Sequence, residues 1–280
     1  MDGDDTISKA RKQFNRHRVN ADGCQIQPRQ LHLTMKVARS ALQISLSLRE
    51  RVGVRETIMA HSFDWSLFET LPVIGILRGY GMDEVENIVL HSAKGGLCNI
   101  EITMNSEDAA ALIRLAKERA EGKMNVGAGT VCSLDDLDTA LGAGATFIVT
   151  PIVNAEVIRA CRKEAVPVIP GGFTPTEIYQ AWQLGADMVK LFPANRFGPD
   201  YLKDVRGPLD RIKLVPTGGV DLQNLPAYLE NGAYGFGVGS PLFDKRRVKA
   251  REWDWVEKQA RRFAAVYEDC TAGNRARMPD

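Results

Sequence analysis

The chain has 280 residues, of which 44% are hydrophobic and 25% charged, and its formal net charge is +1 at pH 7. That length suits one large domain or two small ones, and the near-neutral charge gives no electrostatic basis for binding nucleic acid or an anionic membrane. No apolar run approaches the roughly 20 residues of a membrane-spanning helix. The five cysteines are scattered and odd in number, which favours neither a disulfide framework nor a zinc site. We therefore expect reduced thiols and a cytoplasmic protein.

The first 60 residues differ from the rest of the chain. They carry isolated charges and weak hydrophobic periodicity, which is typical of a flexible extension that buries little apolar area. A second interpretation is that translation begins at Met59. The acidic start has no apolar core behind it, which argues against a secretory signal or a mitochondrial presequence. The expected division is an extension (1–60), a main domain (61–270) and a C-terminal tail (271–280).

From Leu71 onward, short apolar runs alternate with amphipathic helical segments. Such runs are typical of strands buried on both faces of a parallel sheet. The predicted strands are 72–78, 99–104, 125–131, 147–152, 167–170, 188–193, 213–216 and 235–238. The predicted helices are 83–90, 109–120, three that start at Ser133, Asn154 and Thr174, then 199–205, 224–230 and 253–267.

Eight strand–helix units predict an α/β fold, a single (β/α)8 TIM barrel. The alternative is a doubly wound open sheet, but its usual GxGxxG fingerprint is missing after the first predicted strand. In a barrel, the active site lies at the carboxyl ends of the strands. Polar residues late in the apolar runs are therefore the candidates for chemistry.

Lys190 is the strongest of these candidates, because it interrupts the apolar strand 188–193. Alternation puts Met188, Lys190 and Phe192 on one face of a strand that is enclosed on both sides. Burial disfavours the ammonium form and lowers the pKa of a lysine, and a neutral amine can attack a carbonyl carbon to form an imine. The alternative is a structural lysine that is paired with a carboxylate.

Glu101 interrupts the apolar strand 99–104 in the same way. A carboxylate that faces the same interior as Lys190 could shuttle protons during imine chemistry. A buried salt bridge between the two residues is the structural alternative. We predict Lys190 and Glu101 as the catalytic residues.

Two glycine-rich turns follow the seventh and eighth predicted strands. Gly218 and Gly219 form the first turn, and Gly239 and Ser240 belong to the second. Barrels frequently bind phosphate with backbone N–H groups of these two loops, and glycine allows the anion a close approach. Tight turns need glycine in any case, but two turns at these positions predict a phosphate site.

Further residues near the strand ends are predicted to line a substrate pocket. They are Arg78, Thr130, Thr150 with the adjoining Pro151, and Phe173. Each has a structural alternative: a surface ion pair for the arginine, strand propensity for the threonines and core packing for the phenylalanine. Cys132 lies near the same rim, but no adjacent histidine marks it as a nucleophile. The four histidines (His17, His32, His61 and His91) precede the barrel or lie on its first helix, so no histidine metal site is predicted.

Six short segments occur in an order and at intervals that resemble a known enzyme family. They are Leu77-Arg78-Gly79, Ile100-Glu101-Ile102, Gly127-Ala128-Gly129-Thr130-Val131, Val189-Lys190-Leu191-Phe192-Pro193-Ala194, Pro216-Thr217-Gly218-Gly219-Val220 and Gly239-Ser240. With them, residues 71–267 look like a 2-dehydro-3-deoxy-phosphogluconate/phosphogalactonate aldolase. The resemblance implies reversible cleavage of a 2-keto-3-deoxy-6-phospho sugar acid to pyruvate and glyceraldehyde 3-phosphate. It also implies a homotrimer that uses no metal or other cofactor.

The resemblance implies a role for the main candidates. Lys190 would form the imine with the C2 ketone, and Glu101 would move protons, including that of the C4 hydroxyl by way of water. Thr130 and Arg78 would contact the pyruvate-derived part of the substrate. The phosphate would be held by Gly218, Gly219 and Ser240.

Position 105 departs from one branch of the family. Gluconate-type members commonly carry an arginine four residues after the glutamate, where this chain has Asn105. The pair Asn105-Ser106 is more like the galactonate branch, whereas the turn at 216–219 is more like the gluconate branch. The preferred C4 epimer therefore stays open, with Asn105 as a substrate-binding candidate and 4-hydroxy-2-oxoglutarate as an alternative substrate. Rival functions are another phosphate-binding barrel enzyme, such as a thiamine-phosphate synthase or an epimerase, and a non-catalytic sugar-phosphate-binding protein.

Overall fold

The computed structural model describes residues 62–275, with side chains through residue 272. The predicted N-terminal extension, the hypothesis of a start at Met59 and the end of the predicted C-terminal tail lie outside the described residues. The strands are β1 (Val73–Leu77), β2 (Asn99–Thr103), β3 (Asn125–Gly129), β4 (Ile148–Val149), β5 (Val168–Ile169), β6 (Gly171–Gly172), β7 (Val189–Leu191), β8 (Leu214–Pro216) and β9 (Phe236–Val238).

Helices precede β1, separate most successive strands and follow β9. They are α1 (Trp65–Thr70), α2 (Met82–Lys94), α3 (Ala109–Ala120), α4 (Leu134–Gly142), α5 (Ala155–Lys163), α6 (Pro175–Gln183), α7 (Gly198–Arg206), α8 (Leu225–Glu230), α9 (Lys245–Lys249) and α10 (Trp253–Arg275). The predicted caps are present: the side chains of Ser133, Asn154 and Thr174 accept backbone N–H groups at the starts of α4, α5 and α6. Helix α10 runs past its predicted end and continues into the segment expected as a tail.

All the paired strands are parallel, and they form two sheets. A six-stranded sheet has the order β5-β4-β3-β2-β1-β9, and a three-stranded sheet has the order β6-β7-β8. Strands β1 to β5 are neighbours in chain order, and the last strand lies on the other side of β1. In a doubly wound sheet the strand order reverses at β1, so a strand from the middle of the chain, and not the last strand, would lie beside β1. The structure therefore confirms a parallel α/β fold and contradicts the doubly wound alternative.

The predicted fifth strand (167–170) is observed as β5, and a further short strand that was not predicted, β6, follows Pro170. Strand β5 pairs with β4, whereas β6 pairs with β7. Pro170 has no N–H group to donate, but its carbonyl accepts a hydrogen bond from the Lys190 N–H at 2.9 Å. A bridge between Thr217 and Gly237 connects the exit of β8 to β9. The chain thus passes from one sheet to the other at the proline.

Side chains alternate between two buried clusters along the strands, as pleated strands require. One cluster contains Ile74, Phe147, Val149, Ile169, Met188 and Val215. The other contains the intervening positions together with the apolar faces of the helices. The first cluster therefore marks the inner face of the curled sheet.

Helix α1, which the sequence pattern did not predict, covers the amino-terminal end of this inner face. Phe63 and the fully buried Phe68 pack into the inner cluster. The Asn125 amide exchanges two hydrogen bonds with the Asp64 backbone, each 2.8 Å long, and donates a third to Asn99. The polar ends of β2 and β3 are thereby satisfied at the covered end.

Candidate active site

Lys190 and Glu101 share one cavity on the inner face of the sheet. Their relative exposures are 4% and 2%, so both ionisable groups are removed from bulk water. The cavity is lined by Ile74, Ile76, Glu101, Val149, Ile169, Lys190, Val215, Thr217 and Gly237. The prediction that the two residues face the same interior is confirmed.

Burial disfavours the protonated form of Lys190. It lowers the pKa of the amine, and the nearby Arg78 guanidinium adds to that effect, whereas the Glu101 carboxylate opposes it. Among the described residues, no carboxylate oxygen lies within the 4.0 Å of a salt bridge to the Lys190 ammonium. The nitrogen instead lies 4.8 Å from the centroid of the Phe192 ring. A buried salt bridge therefore does not account for Lys190.

The same burial acts on Glu101 with the opposite sign. It raises the pKa of the carboxyl, while the positive charges of Lys190 and Arg78 hold that rise back. The absence of a side chain at Gly129 leaves space for the Glu101 carboxyl, because a Cβ on that glycine would come within 2.7 Å of the Glu101 Cδ. A protonatable carboxyl therefore lies in the same enclosed space as an amine that loses its proton easily.

Arg78 and Thr130 meet at the carboxyl edge of the sheet. The Arg78 guanidinium donates a hydrogen bond of 3.3 Å to the Thr130 hydroxyl. Thr130 has φ +57°, a left-handed conformation that a β-branched residue adopts only under constraint. Because Arg78 also acts electrostatically on Lys190 and Glu101, this pair lies beside the cavity.

Four other predicted residues lie outside the cavity lining. The Thr150 hydroxyl donates to the carbonyl of Ile152, and a Cβ on Gly171 would come within 2.5 Å of the Pro151 carbonyl oxygen. Asn105 is exposed after β2. Phe173 stacks on Phe197, with ring centroids 5.5 Å apart, and its carbonyl accepts a hydrogen bond from the Tyr201 hydroxyl.

The first glycine turn presents unpaired N–H groups. Gly218 and Gly219 have φ values of +92° and +81°, and a Cβ on Gly219 would come within 2.5 Å of the Asn195 Cβ. The carbonyls of Thr217, Gly218 and Gly219 accept hydrogen bonds from Ala194, Asn195 and Asn224. Among the hydrogen bonds of the described residues, none uses the N–H of Gly218 or Gly219. Successive free N–H groups in this conformation form a concavity suited to an anion.

The second glycine turn lies next to the first. The bridge between Thr217 and Gly237 sets the exits of β8 and β9 side by side. The Gly239 carbonyl accepts the N–H groups of Leu242 and Phe243, which closes a tight turn. Ser240 is exposed, and within residues 62–275 its N–H has no hydrogen-bond acceptor.

Two residues beside Lys190 were not among the predicted site residues. Thr217 is 4% exposed in the cavity wall, and its hydroxyl donates to the Val215 carbonyl at 3.3 Å. Phe192 approaches both Lys190 and the position of a Cβ on Gly218, the latter at 3.5 Å. The alternation that placed Lys190 inward also applied to Phe192, so a signal for that residue was present.

No helix in residues 62–275 is both long and apolar enough to span a membrane. Nor does that range bring three or more His, Cys, Asp or Glu side chains together as a metal site.

The fold and the cavity define an α/β enzyme whose site lies at the carboxyl edge of a parallel sheet. A sequence profile of KDPG and KHG aldolases matches residues 66–259. The chain therefore belongs to the KDPG and KHG aldolase family, and it is a lyase of the aldolase type.

Individual relatives agree with this assignment. The chain is 35% identical over 200 residues to a 2-dehydro-3-deoxy-6-phosphogalactonate aldolase of Escherichia coli, covering 71% of this chain and 96% of that one. It is 37% identical over 193 residues to a 2-dehydro-3-deoxy-phosphogluconate aldolase of Pseudomonas aeruginosa, covering 68% and 86%. Among solved structures, it is similar to a KDPG aldolase of Legionella pneumophila with pyruvate captured as a covalent carbinolamine (TM-score 0.65, 25% identity, 70% and 95% covered).

Proposed function

We propose that the chain cleaves a 2-keto-3-deoxy-6-phospho sugar acid to pyruvate and glyceraldehyde 3-phosphate through an imine on Lys190. The observation that carries the proposal is a desolvated amine without a carboxylate partner in the described structure, in one cavity with a protonatable carboxyl. The covalent pyruvate carbinolamine of the Legionella relative supports the same chemistry. A binding protein would have no need of this pair of ionisable groups.

In the proposed reaction Lys190 acts as the nucleophile, and Glu101 accepts and returns a proton. The neutral Lys190 amine attacks the C2 carbonyl, and the carbinolamine loses water to give a protonated imine. Glu101, directly or through a water molecule, takes the proton of the C4 hydroxyl. The C3–C4 bond then breaks: its electron pair moves toward the protonated imine to form an enamine, and C4 leaves as the aldehyde. Glu101 returns this proton to C3 of the enamine, and addition of water to the resulting imine releases pyruvate and restores the amine.

The two glycine turns would hold the phosphate, and the Arg78–Thr130 pair would hold the carboxylate. The free N–H groups of Gly218, Gly219 and Ser240 support the first assignment, because oriented N–H groups bind phosphate well. The 3.3 Å contact between Arg78 and Thr130 beside the cavity supports the second. The substrate would then lie across the open end of the inner face.

The preference for one C4 epimer of the substrate is a separate question. The galactonate and gluconate relatives are 35% and 37% identical to the chain, so overall identity does not favour one series. Asn105 is uncharged and exposed, and the family resemblance implies an arginine at this position in gluconate-type members. We propose that the galactonate series is cleaved at least as well as the gluconate series.

We also propose that the two sheets close into one barrel and that the chain forms a homotrimer. Only Pro170 separates β5 from β6, and the Thr217–Gly237 bridge spans the other junction, which supports a single closed (β/α)8 barrel. The exposed Phe197, stacked on Phe173, supports a contact surface for other copies in a homotrimer. The solution mass of the full chain tests the trimer.

A coupled pyruvate-release assay tests the proposed function. It compares both C4 epimers of the phosphorylated acid with 4-hydroxy-2-oxoglutarate. We expect pyruvate and glyceraldehyde 3-phosphate in equal amounts from at least one phosphorylated epimer. Absence of pyruvate from both phosphorylated epimers contradicts the proposal, and turnover of 4-hydroxy-2-oxoglutarate alone favours the second candidate substrate.

A further inference from the structure

Lys245 directly follows the loop that carries the second glycine turn. This loop runs from the tight turn at Gly239 to Asp244, the N-cap of α9, and Lys245 is the first residue of that helix. The Lys245 ammonium nitrogen lies 3.4 Å from the position of a Cβ on Gly79. It therefore stands at the carboxyl edge, between the exit of β1 and the Ser240 turn.

The ring of Tyr80 provides a fixed support for Lys245. The Lys245 nitrogen lies 5.7 Å from the centroid of this ring. The Tyr80 side chain is 8% exposed, and its hydroxyl donates a hydrogen bond of 2.5 Å to the Phe243 carbonyl. This hydrogen bond connects Tyr80, which precedes α2, to the loop after β9.

The positive charge of Lys245 is not neutralised by a neighbouring carboxylate in the described part of the chain. Lys245 is exposed, and in residues 62–275 no carboxylate oxygen lies within 4.0 Å of its nitrogen. The two acids that act electrostatically on Tyr80 already accept backbone hydrogen bonds. Glu84 accepts the Gly81 N–H at 2.8 Å, and Asp244 accepts the N–H groups that follow it in α9. A bound anion would therefore displace no ion pair from this ammonium group within the described residues.

The proposed phosphate subsite needs such a charge. Its backbone N–H groups and the Ser240 hydroxyl are neutral donors, whereas a phosphate monoester carries about −1.5 to −2 charges at pH 7. Arg78 is directed to the opposite part of the site, where it contacts Thr130 and acts on Lys190. A charged donor strengthens phosphate binding more than a neutral one.

We propose that Lys245 is a substrate-binding residue that supplies the positive charge of the phosphate subsite. The inference rests on the proposed function, which places the substrate phosphate at the two glycine turns. The long flexible stem of lysine lets its ammonium swing from the Tyr80 ring to a phosphate above Ser240.

Three variants of the full chain test this role. Lys245→Met removes the charge, Lys245→Arg keeps it, and Lys249→Met removes an exposed charge from the same helix. The measurements are kcat and KM for the phosphorylated acid, and the inhibition constant of inorganic phosphate. We expect Lys245→Met to raise KM and the phosphate inhibition constant about 5-fold, as loss of a partly exposed ion pair does. Lys245→Arg should restore most of the loss, and Lys249→Met should match the wild type.

Unchanged phosphate inhibition in Lys245→Met overturns the inference, as does an equal effect of Lys249→Met. Failure of Lys245→Arg to restore binding overturns the claim that charge is what matters. Labelling of Lys190 by pyruvate and borohydride separates this inference from the proposed function, because pyruvate carries no phosphate. An unlabelled wild-type enzyme contradicts the proposed function, whereas a labelled enzyme with unchanged phosphate inhibition contradicts only the role of Lys245.

Discussion

Burial has opposite consequences for Lys190 and Glu101. Both side chains lose hydration in the same cavity, and each therefore favours its uncharged form. An amine without its proton is a nucleophile, and a carboxyl that binds a proton readily can return it to the substrate. The absence of a close ion pair between them, in the described structure, keeps both groups available for substrate.

Glu101→Gln tests the proton-transfer role. The amide keeps the shape of the side chain but cannot exchange a proton, so we expect kcat to fall about 10²–10⁴-fold. The melting temperature should not fall, because the variant buries no ionisable group at this position. Steady-state pyruvate release and thermal unfolding provide the two readouts, with the exposed Glu118→Gln as control. A kcat within a factor of about two of the wild type contradicts a catalytic role.

Glycines at strand exits control how closely the elements approach each other. Gly129 leaves room for the Glu101 carboxyl, and Gly219 leaves room for the Asn195 side chain. In both places the missing Cβ brings a functional group next to the backbone of a neighbouring strand or turn. The site is thus assembled by contacts between elements that are distant in the chain.

Gly219→Ala tests the phosphate turn. The new Cβ meets the Asn195 Cβ at 2.5 Å in a left-handed backbone with φ +81°, so the turn must shift. A cost of about 1–3 kcal/mol at this point corresponds to a KM for phosphorylated substrate raised about 5- to 150-fold. Gly122→Ala is the matched control, because Gly122 has φ +74° and nothing within 4 Å of its Cβ position. An equal rise of KM in both variants contradicts the phosphate assignment.

The sequence pattern predicted the strands and the inward direction of Lys190 and Glu101 because alternation and glycine turns are local signals. It did not predict helix α1 or the short helix α9, whose few residues carry too little periodicity. The extension of the fifth strand through Gly171 and Gly172 was also missed, since glycine has low strand propensity. Thr217 lies beyond its strand, where alternation no longer indicates direction, and only the bridge to Gly237 fixes its place.

At the scale of the whole molecule, the two ends of the inner face of the sheet differ in function: the amino-terminal end is covered by α1, and the carboxyl end is open. Phe63 and Phe68 fill the amino-terminal end together with the inner cluster. Lys190, Glu101 and the glycine turns lie toward the carboxyl edge. Stability and chemistry are therefore separated along the strand direction, as in other parallel α/β enzymes.

Phe68→Ala tests this separation. Phe68 is 0% exposed, so its truncation should lower the free energy of unfolding by about 3–5 kcal/mol. Leu134→Ala, at a side chain that is 44% exposed, should cost far less. Urea unfolding measures both changes, and pyruvate release per folded molecule should stay near the wild-type value in each. Loss of activity in a fully folded Phe68→Ala protein contradicts the separation.

Covalent trapping at Lys190 tests the central claim most directly. The protein is incubated with pyruvate and borohydride, and the labelled lysine is located by mass spectrometry. Because the pKa of Lys190 lies below its ordinary value, we expect labelling near neutral pH that weakens as the pH falls through that lowered pKa. Lys190→Met should remove the label and abolish cleavage, whereas the exposed control Lys203→Met should keep both. A wild-type enzyme that releases pyruvate from substrate but carries no adduct at Lys190 contradicts the imine mechanism.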